Sequence, residues 1–175
     1  MTKPIDNCFW VLPDVLMAGE HPDGGNEEET RRRLRRFLFA GVTQFIDLSD
    51  KDERPAYESI LLEEAELFEE QVIYSHHPIR DKGIPRSPVQ MSAVIREISD
   101  VMAERKITYI HAARGVGRTG LAAGCYLVEC GLDGERALRK LMILYSDMEC
   151  SAWEPRIPET DQQVEYVRHW QPGDV

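Results

Sequence analysis

The sequence predicts an α/β fold in which a central, mostly parallel sheet is flanked by helices. β-branched and aromatic runs at 42–48, 72–76 and 107–110 alternate with longer segments whose apolar residues recur at helical spacing. Such alternation is the pattern of parallel strands joined by crossover helices. The last of these runs passes through a glycine-rich stretch, Ala113-Arg-Gly-Val-Gly-Arg-Thr-Gly120, directly into the apolar helical pattern 121–128, which reads as strand, tight loop and helix start. At 175 residues the chain is expected to be one domain spanning 1–175, long enough to bury about two-thirds of its unfolded surface without staples.

In chain order, residues 9–12 and 15–18, separated by Pro13-Asp14, read as a hairpin at the sheet edge, with Trp10 in the core. Asn26 with Glu29 three residues on is a helix cap signature, and the helix runs to about Ala40, where Gly41 stops it and Leu34, Phe37 and Leu38 form its buried stripe. Its charged residues, Glu27-Glu28-Glu29 ahead of Arg31-Arg32-Arg33 and Arg35-Arg36, are expected to make i,i+4 pairs on a solvated face rather than a ligand patch. The strand 42–48 ends in the polar loop 49–54. Loops leaving the carboxyl ends of strands face the ligand crevice of an open α/β sheet, so this loop, with Arg54 and Tyr57, is either a pocket wall or a plain solvated loop. A helix over 55–70 and a strand at 72–76 lead into the loop 77–85. Ser87-Pro88 opens a helix to about Arg105, with Met91, Val94, Ile95, Ile98, Val101 and Met102 facing the sheet. Gly131 ends the helix that follows the glycine-rich loop, and Asp133 caps another over 134–147 that buries Ala137, Leu138, Leu141, Met142 and Leu144. After an irregular connector at 153–158, Thr160 caps a final helix, with Gln163 completing a capping box.

Composition narrows the function. A formal charge of −10 argues against a general nucleic-acid binder, so any anionic ligand needs a local basic pocket. Cys8, Cys125, Cys130 and Cys150 form no Cys-x-x-Cys pair and no metal-ligand spacing with histidine; Cys125 and Cys130 are expected as small buried hydrophobes. His76 and His77, adjacent on a strand, point to opposite faces, so no metal is expected there, and no cofactor is implied. The absence of a signal peptide and of an apolar run of about 18 residues leads to the expectation of a reducing, cytoplasmic setting without a membrane span.

The glycine-rich stretch is chemically the most specific. Glycine at 115 and 117 lets backbone N–H groups turn inward, the helix start adds partial positive charge, and Arg118 can clamp two oxygens, a combination that fits a phosphate-sized dianion. The glycine pattern alone is weak, and no lysine stands where a nucleotide-binding loop needs one. With His111 before it and Thr119-Gly120 closing it, the segment resembles the loop His-Cys-x-x-Gly-x-x-Arg-Ser/Thr of the cysteine-dependent protein tyrosine and dual-specificity phosphatases. The resemblance implies a single-domain protein tyrosine phosphatase-like fold and a phosphomonoesterase acting through a phosphocysteine intermediate. One position departs: Ala112 stands where the family carries its nucleophilic cysteine. Either a cysteine has been replaced in an otherwise intact enzyme, leaving an inactive variant that still binds phosphate esters, or the chain is a natural pseudophosphatase that binds a phosphorylated ligand without cleaving it.

The resemblance also implies roles. Asp81, in Pro78-Ile-Arg-Asp-Lys-Gly-Ile-Pro85, matches the general acid, although beside Gly83 it also reads as a turn former. His111 supports the loop, Arg118 binds equatorial oxygens, Thr119 stabilises the leaving thiolate, and Ala113, Arg114, Gly115, Val116 and Gly117 line the substrate site. Gln163 matches a glutamine that positions water, a role the capping box alone also explains. Arg114 is unusual for the loop; as a cation at the rim it makes a phosphoinositide, inositol phosphate or nucleotide-like phosphate reasonable beside phosphotyrosine, while as an outward-pointing side chain it would do nothing. The expected partner is therefore a phosphorylated protein or a small-molecule phosphate, with oligomeric state open.

Overall fold

The computed structural model describes residues 3–173, so the outermost two residues at each end of the expected 1–175 domain lie outside it. Among the described residues five strands, β1 (Cys8–Leu12), β2 (Leu16–Glu20), β3 (Val42–Asp47), β4 (Ile73–His76) and β5 (Ile107–Ala112), form one sheet in the order β1-β2-β5-β3-β4. β1 and β2 are the antiparallel edge hairpin, and every other pair is parallel, as the strand and helix alternation predicts. The last strand in the chain is the central one. His111 of β5 is level with Gly19 of β2 on one side and Asp47 of β3 on the other, so the loop leaving β5 emerges between two supporting strand ends.

Among the described residues six helices, α1 (Glu27–Phe39), α2 (Glu58–Leu67), α3 (Pro88–Ala103), α4 (Gly117–Glu129), α5 (Gly134–Tyr145) and α6 (Asp161–His169), and a short 3₁₀ turn (Glu149–Ala152) cover the sheet. Side chains alternate across a strand, and the core divides accordingly. Phe45, Tyr109 and Met17 pack with Leu34, Phe37 and Leu61 of α1 and α2, whereas Ile46, Ile110 and Ala112 pack with residues of α3 to α6. Each large apolar side chain so buried contributes about 1.5–3 kcal/mol. Helix α4 is buried from Gly117 through Val128; it has no polar stripe because other helices surround it. Its close fit to α6 needs Gly124, where a Cβ would lie 2.8 Å from Val167.

The predicted caps form. Asn26 accepts from the Glu29 N–H, Asp133 from the Arg136 N–H, and Thr160 with Gln163 makes the reciprocal capping box. Helix α2 starts at Glu58 rather than 55, because Tyr57 is drawn into the core and caps the helix without a side-chain bond. On α1 the i,i+4 pairs Arg31–Glu27 and Arg33–Glu29 are present. The same face is more than solvated: Arg31 and Arg35 also reach the buried Glu64 of α2, so it is a seam between two helices. Met102 and Met142 are partly exposed, and Cys130 is exposed because it lies just past the buried body of α4, contrary to expectation. Trp10 is only half-buried. Among the described residues no helix is long and apolar enough to cross a membrane.

Candidate active site

The carboxyl end of β5 turns into α4 through residues 113–116. Gly115 has φ 72°, and a Cβ there would sit 2.2 Å from the carbonyl carbon of Gly19 and 2.4 Å from the nitrogen of Glu20. Only glycine lets the loop press against β2 in this conformation. The result is a narrow concavity of about 10 Å³ lined by Asp81, Ala112, Arg114, Gly115, Val116, Gly117, Arg118 and Glu159. Roomier depressions lie elsewhere, one of them walled by Lys3, Pro4, Arg36, Phe39 and Ala40, but the small one sits at the start of α4, where helix N–H groups and a guanidinium favour an anion.

Arg118 is 4% exposed and held in place by four bonds. Its Nη1 and Nη2 donate to Glu53 Oε2 and Oε1 at 2.6 and 2.7 Å, a bidentate pair. Nη1 also donates to the Ile79 carbonyl at 3.0 Å, and Nη2 to Asp81 Oδ1 at 3.3 Å. The hydrogen bonds from Arg118 hold the Glu53 carboxyl below its ordinary range, against the opposing effect of burial. The Asp81 carboxyl is 57% exposed and is the loosest of these contacts. Its loop is tied down on both flanks. The N–H groups of His77 and Ile79 donate to the carbonyls of Asp47 and Leu48 at 2.8 and 3.1 Å, and Gln163 Nε2 donates to the Gly83 carbonyl at 2.9 Å.

The predicted residues divide by position. Asp81, Ala112, Arg114, Gly115, Val116, Gly117 and Arg118 share the concavity, whereas Ala113 is not on its wall. Thr119 is buried, its hydroxyl donating to the Gly19 carbonyl at 3.4 Å. Gln163 is also buried; its Oε1 accepts from the Thr160 N–H at 3.1 Å, and it abuts Gly117 from behind. Arg114 does not stand at the rim as a free cation. It is clasped by Glu154 and, at 2.7 Å, by Glu159, whose other neighbour is Lys82 at 3.8 Å.

Glu53 and Glu159 were not legible as site residues. Glu53 lies in the polar loop that reads as a possible wall, but its neighbours do something else: Arg54 pairs with Asp23 at 3.0 Å, and Tyr57 is wholly buried. His76 Nε2 donates to the Ser49 carbonyl at 2.8 Å, and His77 Nε2 bonds Glu97 at 2.8 Å.

Beneath the loop lies a buried polar cluster. His111 Nε2 is 2.6 Å from the Tyr57 hydroxyl, and its Nδ1 is 3.7 Å from Asp47 Oδ1. His21 Nε2 is 3.9 Å from Asp47 Oδ2, and the two imidazoles meet edge to face. Burial lowers His111 to about 3 and His21 to about 4. Burial pushes Asp47 up, but His111, the Ser49 N–H and His21 outweigh it and hold the carboxyl low. On distance alone His21, Asp47 and His111 could hold a metal ion, their ligand atoms lying within 4.8 Å of one another. Hydrogen bonding opposes this. His21 Nδ1 accepts the Asp23 N–H at 3.1 Å, which places that neutral ring's proton on Nε2. The lone pair a metal would need is thus turned away from Asp47.

A family model described as "Swiss Army Knife protein, DSP-PTPase phosphatase domain" matches residues 5–175. Among solved structures, the chain is similar to Tk-PTP in its active form, at a TM-score of 0.71 and 21% identity over 94% of this chain and 95% of that one. It is similar to kinase associated phosphatase with its catalytic-site cysteine substituted by serine, at 0.66 and 18% over 92% and 90%. It is also similar to PTPMT1 in complex with PI(5)P, at 0.70 and 14% over 94% of each chain. No curated protein matches the sequence.

Proposed function

The chain belongs to the DSP-PTPase phosphatase domain family, and from that premise we propose that the concavity over Ala112 seats a phosphate monoester and, with cysteine at 112, hydrolyses it through a phosphocysteine. The observation that carries the reading is the convergence of the buried Arg118 guanidinium and the Asp81 carboxyl on that concavity. An arriving phosphate replaces the long contact between them, taking Arg118 as its clamp while Glu53 keeps the guanidinium aimed. In the restored site a thiolate attacks phosphorus, the P–O bond breaks, and Asp81 delivers its proton to the departing oxygen. Water, giving a proton back to the Asp81 carboxylate, then cleaves the S–P bond, releasing phosphate and the thiolate. A thiol at 112 would lie at the start of α4 near Arg118, an environment that lowers a free pKa of about 8.5 toward about 3.5 to 7.5.

Ala112 offers no such sulfur, so the present chain is a binder. It keeps the seat's donors and lacks the thiolate charge that repels a phosphate dianion. An ancestral or parental cysteine accounts best for a complete set of Arg118, Asp81 and a tethered acid loop. A second reading, a binding module for a phosphorylated partner, is favoured by Ala112 itself. Arg114 no longer argues for a highly charged lipid headgroup or inositol phosphate, since Glu154 and Glu159 already neutralise it; PTPMT1, which binds PI(5)P, is similar in fold. Calorimetric titration of an aryl phosphate into the present chain, beside a phosphate-release assay of Ala112→Cys, tests the proposal. Binding without turnover in the first and turnover in the second is expected. Equal phosphate release by both forms would refute the thiolate mechanism, and turnover by neither would leave the binding module.

A further inference from the structure

We propose that Asp47 is the positioning residue of the phosphate seat: its buried carboxylate holds His111 with the proton on Nδ1 and so pins the strand end from which the loop springs. This role rests on the reading of the concavity as an oxyanion seat. Asp47 ends β3 level with His111 and is 6% exposed. Among the described residues the basic side chains within 4 Å of its carboxylate are the neutral imidazoles of His21 and His111, at 3.9 and 3.7 Å. A buried carboxylate without a guanidinium or ammonium persists only if N–H and O–H donors surround it. Two are in bonding range: the Ser49 N–H at 2.8 Å and the Tyr74 hydroxyl at 3.2 Å.

The two imidazoles face the remaining lone pairs from just beyond bonding distance, and their neighbours set which nitrogen carries the proton. The buried Tyr57 hydroxyl lies 2.6 Å from His111 Nε2; with the hydroxyl as donor, the ring proton sits on Nδ1, facing Asp47. That Nδ1 is wholly buried and makes no hydrogen bond; Asp47 Oδ1, at 3.7 Å, is the acceptor it faces. Turned the other way, the ring would strand its own N–H and a carboxylate together. His21, fixed by the Asp23 N–H, points its Nε2 proton at the second carboxylate oxygen.

The same strand end carries both loops of the site. The Leu48 N–H donates to the His111 carbonyl at 2.8 Å, one residue before the seat begins. The carbonyls of Asp47 and Leu48 hold His77 and Ile79 of the acid loop, and the Ile79 carbonyl accepts from Arg118. A shift of Asp47 therefore moves the seat and its acid together.

The test uses the present chain with ¹⁵N-labelled histidine and tungstate as an oxyanion probe. Imidazole nitrogen shifts are expected to report Nδ1–H for His111 and Nε2–H for His21. Asp47→Asn, with a cooperative melt as the folding check, is expected to mix the His111 tautomers and weaken tungstate by about tenfold, the lower end of the loss when a metal-ligating imidazole is deprived of its outer partner. Tyr57→Phe, which removes the donor to Nε2, is expected to shift the same tautomer and carries the test if the first variant does not fold. An Nε2–H His111 in the unsubstituted chain, unchanged tautomers and tungstate affinity in both variants, or perturbation of both imidazoles by stoichiometric zinc would overturn the proposal. If the unsubstituted chain does not bind tungstate at all, the oxyanion reading fails and the role with it, while the tautomers separately show whether the Asp47–His111 lock exists.

Discussion

Gly115→Ala is the sharpest probe of why the seat exists. Two costs combine. A non-glycine residue at φ 72° carries a left-handed penalty of about 1–2 kcal/mol. The added methyl would also sit 2.2 Å from Gly19 and 2.4 Å from Glu20 backbone atoms, and relieving such overpacking adds about 1–3 kcal/mol. The β2 strand cannot easily give way, because it is bonded along β5 and the Tyr109 hydroxyl donates to the Glu20 carbonyl at 2.5 Å. The expected destabilisation is therefore about 2–5 kcal/mol, or a fall in melting temperature of about 4–20 °C for a chain of this size. Gly25→Ala separates the two terms: its φ is 84°, yet nothing lies within 4 Å of the new methyl, so it should lose only about 1–2 kcal/mol. Denaturant unfolding of both variants, with tungstate titration of whatever remains folded, measures the difference. Equal destabilisation at 115 and 25 with oxyanion affinity intact would refute the claim that close approach to β2 shapes the seat.

Three further outcomes follow from the same geometry. In an Ala112→Cys background, Asp81→Asn should cut turnover of an alkyl phosphate by about 10²–10⁴ and abolish the basic limb of the pH–rate profile; an unchanged limb would assign the acid elsewhere. His21 and His111 have folded-state pKa values of about 4 and about 3, below the ordinary 6.5. The unfolded chain thus binds more protons than the folded one as pH falls through 6.5, and stability present above that value drains away toward pH 4. Between pH 7 and 5 each imidazole should remove about 2 kcal/mol, and His21→Gln should roughly halve that slope in urea melts, whereas a flat profile would mean the rings are charged in the fold. Gln163→Ala removes both the capping-box reciprocity and the bond to Gly83; a loss of about 1–2 kcal/mol and faster amide exchange across 79–84 are expected, and unchanged exchange there would show that α6 does not tether the acid loop.

Much of this molecule is written locally. A helix cap such as Asn26 with Glu29 acts over three residues, and strand alternation at 42–48 or 107–110 acts over two, so neighbours along the chain suffice to set them. The seat is nearly as local: Gly115 and Arg118 lie within one turn of each other, and a positive φ and a helix N-terminus are properties of the segment that contains them. Asp81, the proposed acid, is legible from its place on a loop between β4 and α3, ahead of the glycine-rich loop it reaches. The start of α2 was less so, since the pull of Tyr57 into the core overrides helical propensity at 55–57.

What the sequence by itself determined, then, is the glycine-rich loop with Arg118, the alanine at 112 and the order of strands and helices that carries them. Tertiary structure alone decided who stands around that loop: Glu53 clamps Arg118 from 65 residues away, Tyr57 meets His111 across 54, and Glu159 neutralises Arg114 across 45. Each partner is one of many carboxylates or hydroxyls of the same chemistry in an acidic chain. The sheet order, with β5 inserted between β2 and β3, chooses among them by bringing particular strand ends together, and a charge interacts only with what that packing sets within a few ångströms of it.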